Sequence, residues 1–128
     1  MVLVDTSVWI RFLSGRAPYA AELDRLIDLD VVTGHDMVYG ELLIGDMGGR
    51  RELLAAYEEL DQARSVPHSE LVDFVHARGL NGRGLGWIDI HILASALVGG
   101  LKVWTADERF AGVANELGVG YKIQTASA

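Results

Sequence analysis

The sequence contains no cysteine, which excludes a disulfide framework, a thiolate zinc site and a cysteine nucleophile, and points to a reducing compartment. Long apolar runs are also missing. Crossing a bilayer takes roughly 20 apolar residues, and even the stretch from Ile92 to Val98 is broken by Ser95 and closed by Gly99-Gly100. Positive charge is scarce: eleven Lys and Arg against eighteen Asp and Glu give a net charge of −7. That balance argues against a generic, salt-driven binder of nucleic acid. No basic leader precedes the first carboxylate, Asp5, so secretion is not expected and a cytoplasmic location is.

What is present suits one domain spanning residues 1–128, with half of the side chains hydrophobic and enough length to bury a core without covalent or metal staples. Val2-Leu3-Val4, Ala63-Arg64-Ser65-Val66, Leu101-Lys102-Val103-Trp104 and Val119 to Ile123 read as strands by their β-branched and aromatic content. Helical patterns alternate with them. One follows Pro18 through Leu23, Leu26 and Ile27 to Asp30. A second starts with Asp36 as N-cap and runs to Met47, before Gly48-Gly49, and a third covers Arg51 to Leu60. Ser69 caps a fourth over Glu70 to Ala77, and Ile88, Ile92, Leu93, Ala96 and Leu97 mark a buried fifth. Parallel strands need crossover helices, so this alternation predicts an α/β fold around a mostly parallel sheet. Gly79 to Gly86, with four glycines in eight residues, is a loop too short to link domains and is expected beside a site.

Four carboxylates carry the chemistry. Asp5 and Asp107 each follow an expected strand, where open α/β sheets bind ligands, although both are equally explained as N-caps of the helices that follow. Glu41 interrupts an apolar helix and shares a face with Met37 and Ile44, so its carboxylate is either partly buried, and then needs a cation or donors, or simply solvated. Asp89 opens the most apolar helix, where serving the helix dipole is the plain alternative. If strand ends and helix starts share one edge, all four meet, and divalent cations relieve their repulsion. Oxygen-only ligands select Mg²⁺ or Mn²⁺ over zinc. His35, His68, His76 and His91 show no paired ligand spacing; none is assigned a catalytic role, and His91 is expected to project away from Asp89.

Val4-Asp5-Thr6-Ser7-Val8-Trp9-Ile10, Gly40-Glu41-Leu42-Leu43, Gly86-Trp87-Ile88-Asp89 and Trp104-Thr105-Ala106-Asp107-Glu108-Arg109-Phe110 together resemble PIN domains of the VapC-type toxins of bacterial toxin–antitoxin pairs. The resemblance spans nearly the whole chain. It implies a three-layer α/β/α sandwich with a central, mainly parallel five-stranded sheet, and a pocket built from Asp5, Glu41, Asp89 and Asp107. It also implies an endoribonuclease that hydrolyses RNA phosphodiesters with water activated at the cation and a cation stabilising the leaving 3′ oxygen. Asp5 and Asp107 are then the principal ligands, with Glu41 and Asp89 completing the shell. Thr6 or Ser7, and Thr105, fall where the family places hydroxyls that bond the carboxylates, a local turn or cap being the alternative. A homodimer and a VapB-like antitoxin are implied as partners, with Trp9, Phe12, Leu13 and Tyr39 as groove candidates against ordinary core packing. Arg50, Arg51, Arg83 and Arg109 are the candidate RNA contacts, solvated arginine being the ordinary reading.

Other readings fit less of the sequence. A haloacid-dehalogenase-like phosphatase needs a second aspartate two residues after the first, where this chain has Ser7. A receiver-like domain wants an acidic pair near the first strand, and Asp5 has no acidic neighbour. A PIN domain that binds metal and RNA without cutting is separated from a nuclease only by an activity measurement.

Overall fold

Val2, Leu3 and Val4 are 6%, 0% and 0% exposed. Successive strand residues point to opposite faces, so burial without alternation requires cover on both sides of the sheet. The computed structural model, which describes residues 1–124, provides that cover with helices. The chain runs β1 (Val2–Val4), α1 (Thr6–Leu13), α2 (Tyr19–Asp28), β2 (Val32–Gly34), α3 (Asp36–Ile44), α4 (Arg51–Glu58), β3 (Asp61–Gln62), α5 (His68–Arg78), α6 (Trp87–Gly99), β4 (Lys102–Trp104) and α7 (Glu108–Glu116). The sheet order is β3-β2-β1-β4 and every pairing is parallel, as the alternation of elements predicts.

Two central strands therefore end side by side with their carboxyl ends on the same edge. Leu23, Leu42, Leu71, Ile92 and Leu93 fill the spaces between sheet and helices and are fully buried, each contributing roughly 1.5–3 kcal/mol of transfer free energy. Helix α6 buries Ile90 and every residue from Ile92 to Ala96, which agrees with its continuous apolar sequence. It ends at Gly100, whose φ of 65° is left-handed, a conformation glycine adopts without steric cost. No helix among the described residues is long and apolar enough to cross a membrane.

Several expectations are corrected. The described residues form four strands, not five. The segment expected as a strand from Val119 to Ile123 touches the sheet through one bridge, Val103 to Gly120, with the Val103 N–H donating to the Val119 carbonyl and the Tyr121 N–H to the Val103 carbonyl. The third strand lies at Asp61–Gln62 and not at Ala63 to Val66: β2 stops at Gly34, so only the Ala63 N–H finds a further sheet carbonyl. Strand β2 itself was not anticipated, although Val31-Val32-Thr33 carried a β-branched signal. The N-cap of α3 is His35, whose Nδ1 accepts from the Met37 N–H at 3.0 Å, and not Asp36. That helix ends at Ile44, short of Met47, and α5 begins at His68 after Pro67, without a cap from Ser69.

Candidate metal centre

Because β1 and β4 are parallel neighbours, the residues that follow them emerge together. The Asp5 N–H continues the ladder to the Trp104 carbonyl at 2.9 Å, which sets Asp5 beside Thr105. Asp5 is 6% exposed and does not cap α1 with its side chain. Its Oδ2 instead accepts from the Thr105 hydroxyl at 2.8 Å and the Ser7 hydroxyl at 2.9 Å. Those two hydroxyls lie 3.2 Å apart and are in turn held by backbone: the Ala106 N–H donates to Ser7 Oγ and the Asp107 N–H to Thr105 Oγ1. A buried carboxylate is thus oriented by residues from both strand ends.

The capping alternative holds for Asp107, whose Oδ1 accepts from the N–H groups of Arg109 and Phe110 at 2.9 and 3.2 Å. Asp89 bends back to accept from the Gly86 N–H at 3.0 Å. Glu41 is fixed across a helix interface by the Thr6 hydroxyl at 2.6 Å. The expected apolar face around it is only half present, since Ile44 is 88% exposed; the Thr6 bond, and not enclosure by Ile44, positions this carboxylate.

The Asp89 carboxyl reports the shared field. Its pKa is raised, first by burial and then by the negative charges of Asp5, Asp107 and Glu41, with the Gly86 N–H opposing. Like charges disfavour ionisation in this way only when they sit within electrostatic reach. Among the described residues, no three Asp, Glu or His side chains close on a common point as a finished ion site would require. The chemistry of the donor set nevertheless fits a hard divalent cation. It is all oxygen, and Asp5 Oδ1, Glu41 Oε2, Asp89 Oδ1 and Asp107 Oδ2 receive no hydrogen bond from the described protein.

Two of the four arginines are engaged elsewhere. Arg50 donates to the Leu42 carbonyl at 2.9 Å and so closes the end of α3. Arg83 bonds both carboxylate oxygens of Glu116 at 2.9 Å. Arg51 is exposed. Arg109 lies across the glycine loop: a Cβ built on Gly84 would stand 2.9 Å from its Nη1, so the missing side chain there makes room for the guanidinium. Trp9 and Phe12 line an apolar cleft of about 340 Å³ with Asp24, Ile27, Leu53, Ala56, Tyr57 and Leu60; Leu13 and Tyr39 are not part of it.

One buried arrangement went unread in the sequence. His35, fully buried, accepts from Met37 at Nδ1, so its proton sits on Nε2 and is donated to Ser95 Oγ at 3.0 Å. Ser95 then donates to the Arg64 carbonyl at 2.7 Å. The imidazole is a packed and satisfied group, and only the tertiary placement of α6 identifies its partner.

Comparisons with known proteins agree with this architecture. The model of the PIN domain family matches residues 2–116. Ribonuclease VapC32 from two strains of Mycobacterium tuberculosis is 41% identical over 120 residues, covering 93% of this chain and 94% of that protein. Among solved structures, FitAcB from Neisseria gonorrhoeae aligns with a TM-score of 0.63 at 22% identity, over 90% of this chain and 94% of that one. PAE2754 from Pyrobaculum aerophilum aligns at 0.57 and 17%, over 87% and 82%. At those identities the two structures speak for the fold alone. The family model spans the parallel sheet and its carboxylate-bearing edge, and the Mycobacterium relatives align over nearly their full length, so this chain belongs to the PIN domain family.

Proposed function

We propose that this chain is a metal-dependent endoribonuclease, the toxin of a VapC-type toxin–antitoxin pair, and that Asp5, Glu41, Asp89 and Asp107 form its catalytic edge. The observation that carries the reading is Asp5, a buried carboxylate after β1 whose Oδ2 is held by the Ser7 and Thr105 hydroxyls while its Oδ1 accepts no hydrogen bond from the described protein. Similarity over nearly full length to a protein named as a ribonuclease supports the activity. Asp5 and Asp107 are the principal cation ligands, and Glu41 and Asp89 complete the shell directly or through water. Thr105 is a positioning residue, since it holds Asp5 Oδ2 and leaves Oδ1 free to ligate. Mg²⁺ or Mn²⁺, when bound, supplies Lewis-acid stabilisation of phosphate charge and activates water. Net negative charge then ceases to be an obstacle, because the substrate meets the cation before it meets bare carboxylate.

Arg109 is the cation best placed to receive a phosphate, lying over Gly84 without an ion-pair partner among the described residues. The partner reading is a homodimer silenced by a VapB-like antitoxin, whose apolar side chains would occupy the cleft at Trp9, Phe12 and Leu53. The test is cleavage of candidate RNAs in Mg²⁺ or Mn²⁺, compared with chelator and with Asp5→Asn. Cleavage that depends on metal and falls by about a thousandfold in the variant is expected. Cleavage that survives either treatment undiminished removes the proposal, and binding without cleavage under every metal condition assigns the chain a non-catalytic role.

A further inference from the structure

The few cations of this chain are not spread evenly. Its two lysines, Lys102 and Lys122, line one cleft together with Arg25, and no Asp or Glu is among the described residues that line it. In a chain with eighteen carboxylates against eleven cations, that is a local reversal of charge. The cleft, of about 410 Å³, also borders Val2, Val31 and Gly120. Val2 pairs with Val32 on one side and with Lys102 on the other, which puts the cleft at the amino ends of β2, β1 and β4. Asp5 and Thr105 follow the other end of the same strands, and the extended chain from Lys102 to Thr105 covers about 10 Å.

Two of the three cations are anchored, and all three keep donors in reserve. Arg25 gives Nε and Nη2 to the Glu22 carboxylate at 2.7 and 3.1 Å, and the Tyr121 hydroxyl donates to the same carboxylate. Glu22 is buried while Arg25 is exposed, so the pair turns its cationic member to water with Nη1 unbonded among the described residues. Lys102 Nζ commits one N–H to the Gly118 carbonyl at 2.9 Å, and an ammonium has two more. Lys122 is exposed and has no ion-pair partner among the described residues. Glu22 offsets the charge of Arg25, so the lysines set the net charge of the cleft. Salt confines the reach of such charges to about 10 Å at 0.1 M, which lets a local cluster attract phosphate although the whole protein is acidic.

We infer that the cleft lined by Arg25, Lys102 and Lys122 is a second phosphate-anchoring site, remote from the cut, for the RNA whose scissile bond meets the carboxylates at the other end of the sheet. The inference rests on the ribonuclease reading, which supplies RNA as the polyanion, and adds a contact that fixes the strand without reading its bases. RNA long enough to pass along the sheet engages both ends of it, whereas a short oligonucleotide reaches only the carboxylates.

The test measures binding of an end-labelled RNA of about 30 nucleotides by anisotropy in Ca²⁺, and cleavage of that RNA and of an oligonucleotide of about four nucleotides in Mg²⁺, with the whole chain. Removing two phosphate contacts from a single strand lowers the slope of log affinity against log salt by about 1.4. Between 50 and 200 mM salt, wild type should therefore lose about sevenfold more affinity for the long RNA than the double variant Lys102→Gln/Lys122→Gln. The same variant should raise KM for the long RNA with kcat retained and leave the short one unchanged, and Lys102→Arg/Lys122→Arg should behave as wild type. Lys122→Gln alone is expected to give half the slope change and keeps the test readable if Lys102→Gln disturbs the turn at Gly118. An unchanged slope in both glutamine variants, or KM rising equally for long and short RNA, would overturn the inference. So would a double variant that keeps its RNA affinity but no longer binds poly-glutamate, which would assign the cleft to an acidic protein segment. The two readings fail separately: a charge-dependent slope without cleavage removes the nuclease and leaves the anchor, whereas metal-dependent cleavage with the same KM in wild type and double variant does the reverse.

Discussion

Replacing Asp89 by asparagine separates two properties of the acidic edge that activity alone would merge. In chelator, wild-type protein bears the burial of the Asp89 carboxyl and, added to it, the repulsion from Asp5, Asp107 and Glu41, which together raise its pKa. Asparagine removes one charge and keeps a side-chain oxygen for the Gly86 N–H, now accepted by Oδ2 at 3.0 Å, so the turn before α6 stays bonded. The variant is therefore expected to be at least as stable as wild type without metal. With a divalent cation at about 100 times its dissociation constant, wild type gains about 2.7 kcal/mol by linkage. For a domain of this size that corresponds to roughly 10 °C in melting temperature, and Asp89→Asn should lose most of it. Thermal melts of both proteins in chelator, Mg²⁺, Mn²⁺ and Ca²⁺ measure the crossing, and the cation giving the largest shift identifies the preferred metal. A variant less stable than wild type in chelator, with an undiminished metal response, would refute the electrostatic reasoning.

Thr105→Val keeps the shape of the side chain but leaves the Asp107 N–H without its acceptor and Asp5 with only the Ser7 hydroxyl; a stability loss of about 1–2 kcal/mol is expected, with cleavage reduced about tenfold and largely restored by Thr105→Ser, as read from urea midpoints and initial rates. His35 has its pKa lowered by burial and by His91, so above the unfolded value of 6.5 its contribution to stability is complete, and below it the unfolded chain takes up a proton that the fold refuses. Stability should fall as the pH drops through that window, and the slope should be shallower in His35→Asn, which can still cap α3; the residual slope includes His91, also depressed by burial. Leu93→Ala empties a fully buried position between helix and sheet and should cost roughly 2–5 kcal/mol in denaturant titrations.

Three of the four acidic positions stand out against an apolar background, Asp5 after Val2-Leu3-Val4, Glu41 before Leu42-Leu43 and Asp89 between Ile88 and Ile90, while Asp107 is marked only by following the strand that ends at Trp104. Their partners were legible only in part. Hydroxyls at Thr6, Ser7 and Thr105 can be read as local caps or as supports for distant carboxylates, and nothing in the chain order distinguishes these. The structure assigns Thr6 to Glu41, and Ser7 and Thr105 to Asp5. Arg50 and Arg83 looked like phosphate contacts by charge, yet one closes a helix and the other meets Glu116, because a long cationic side chain takes whichever acceptor folding brings within reach.

Local sequence alone determined the elements whose signals are short in range: the doubly buried first strand, the apolar course of α6, and the glycine stop at Gly100. Tertiary structure decided the rest. Whether Val32–Gly34 becomes a strand, where β3 begins, and how little of the segment after Gly118 joins the sheet depend on edges supplied by other segments. The same holds for the acidic edge. Each carboxylate is written locally, but only the parallel pairing of β1 with β4 carries Asp5 and Thr105, a hundred positions apart, to the same end of the sheet.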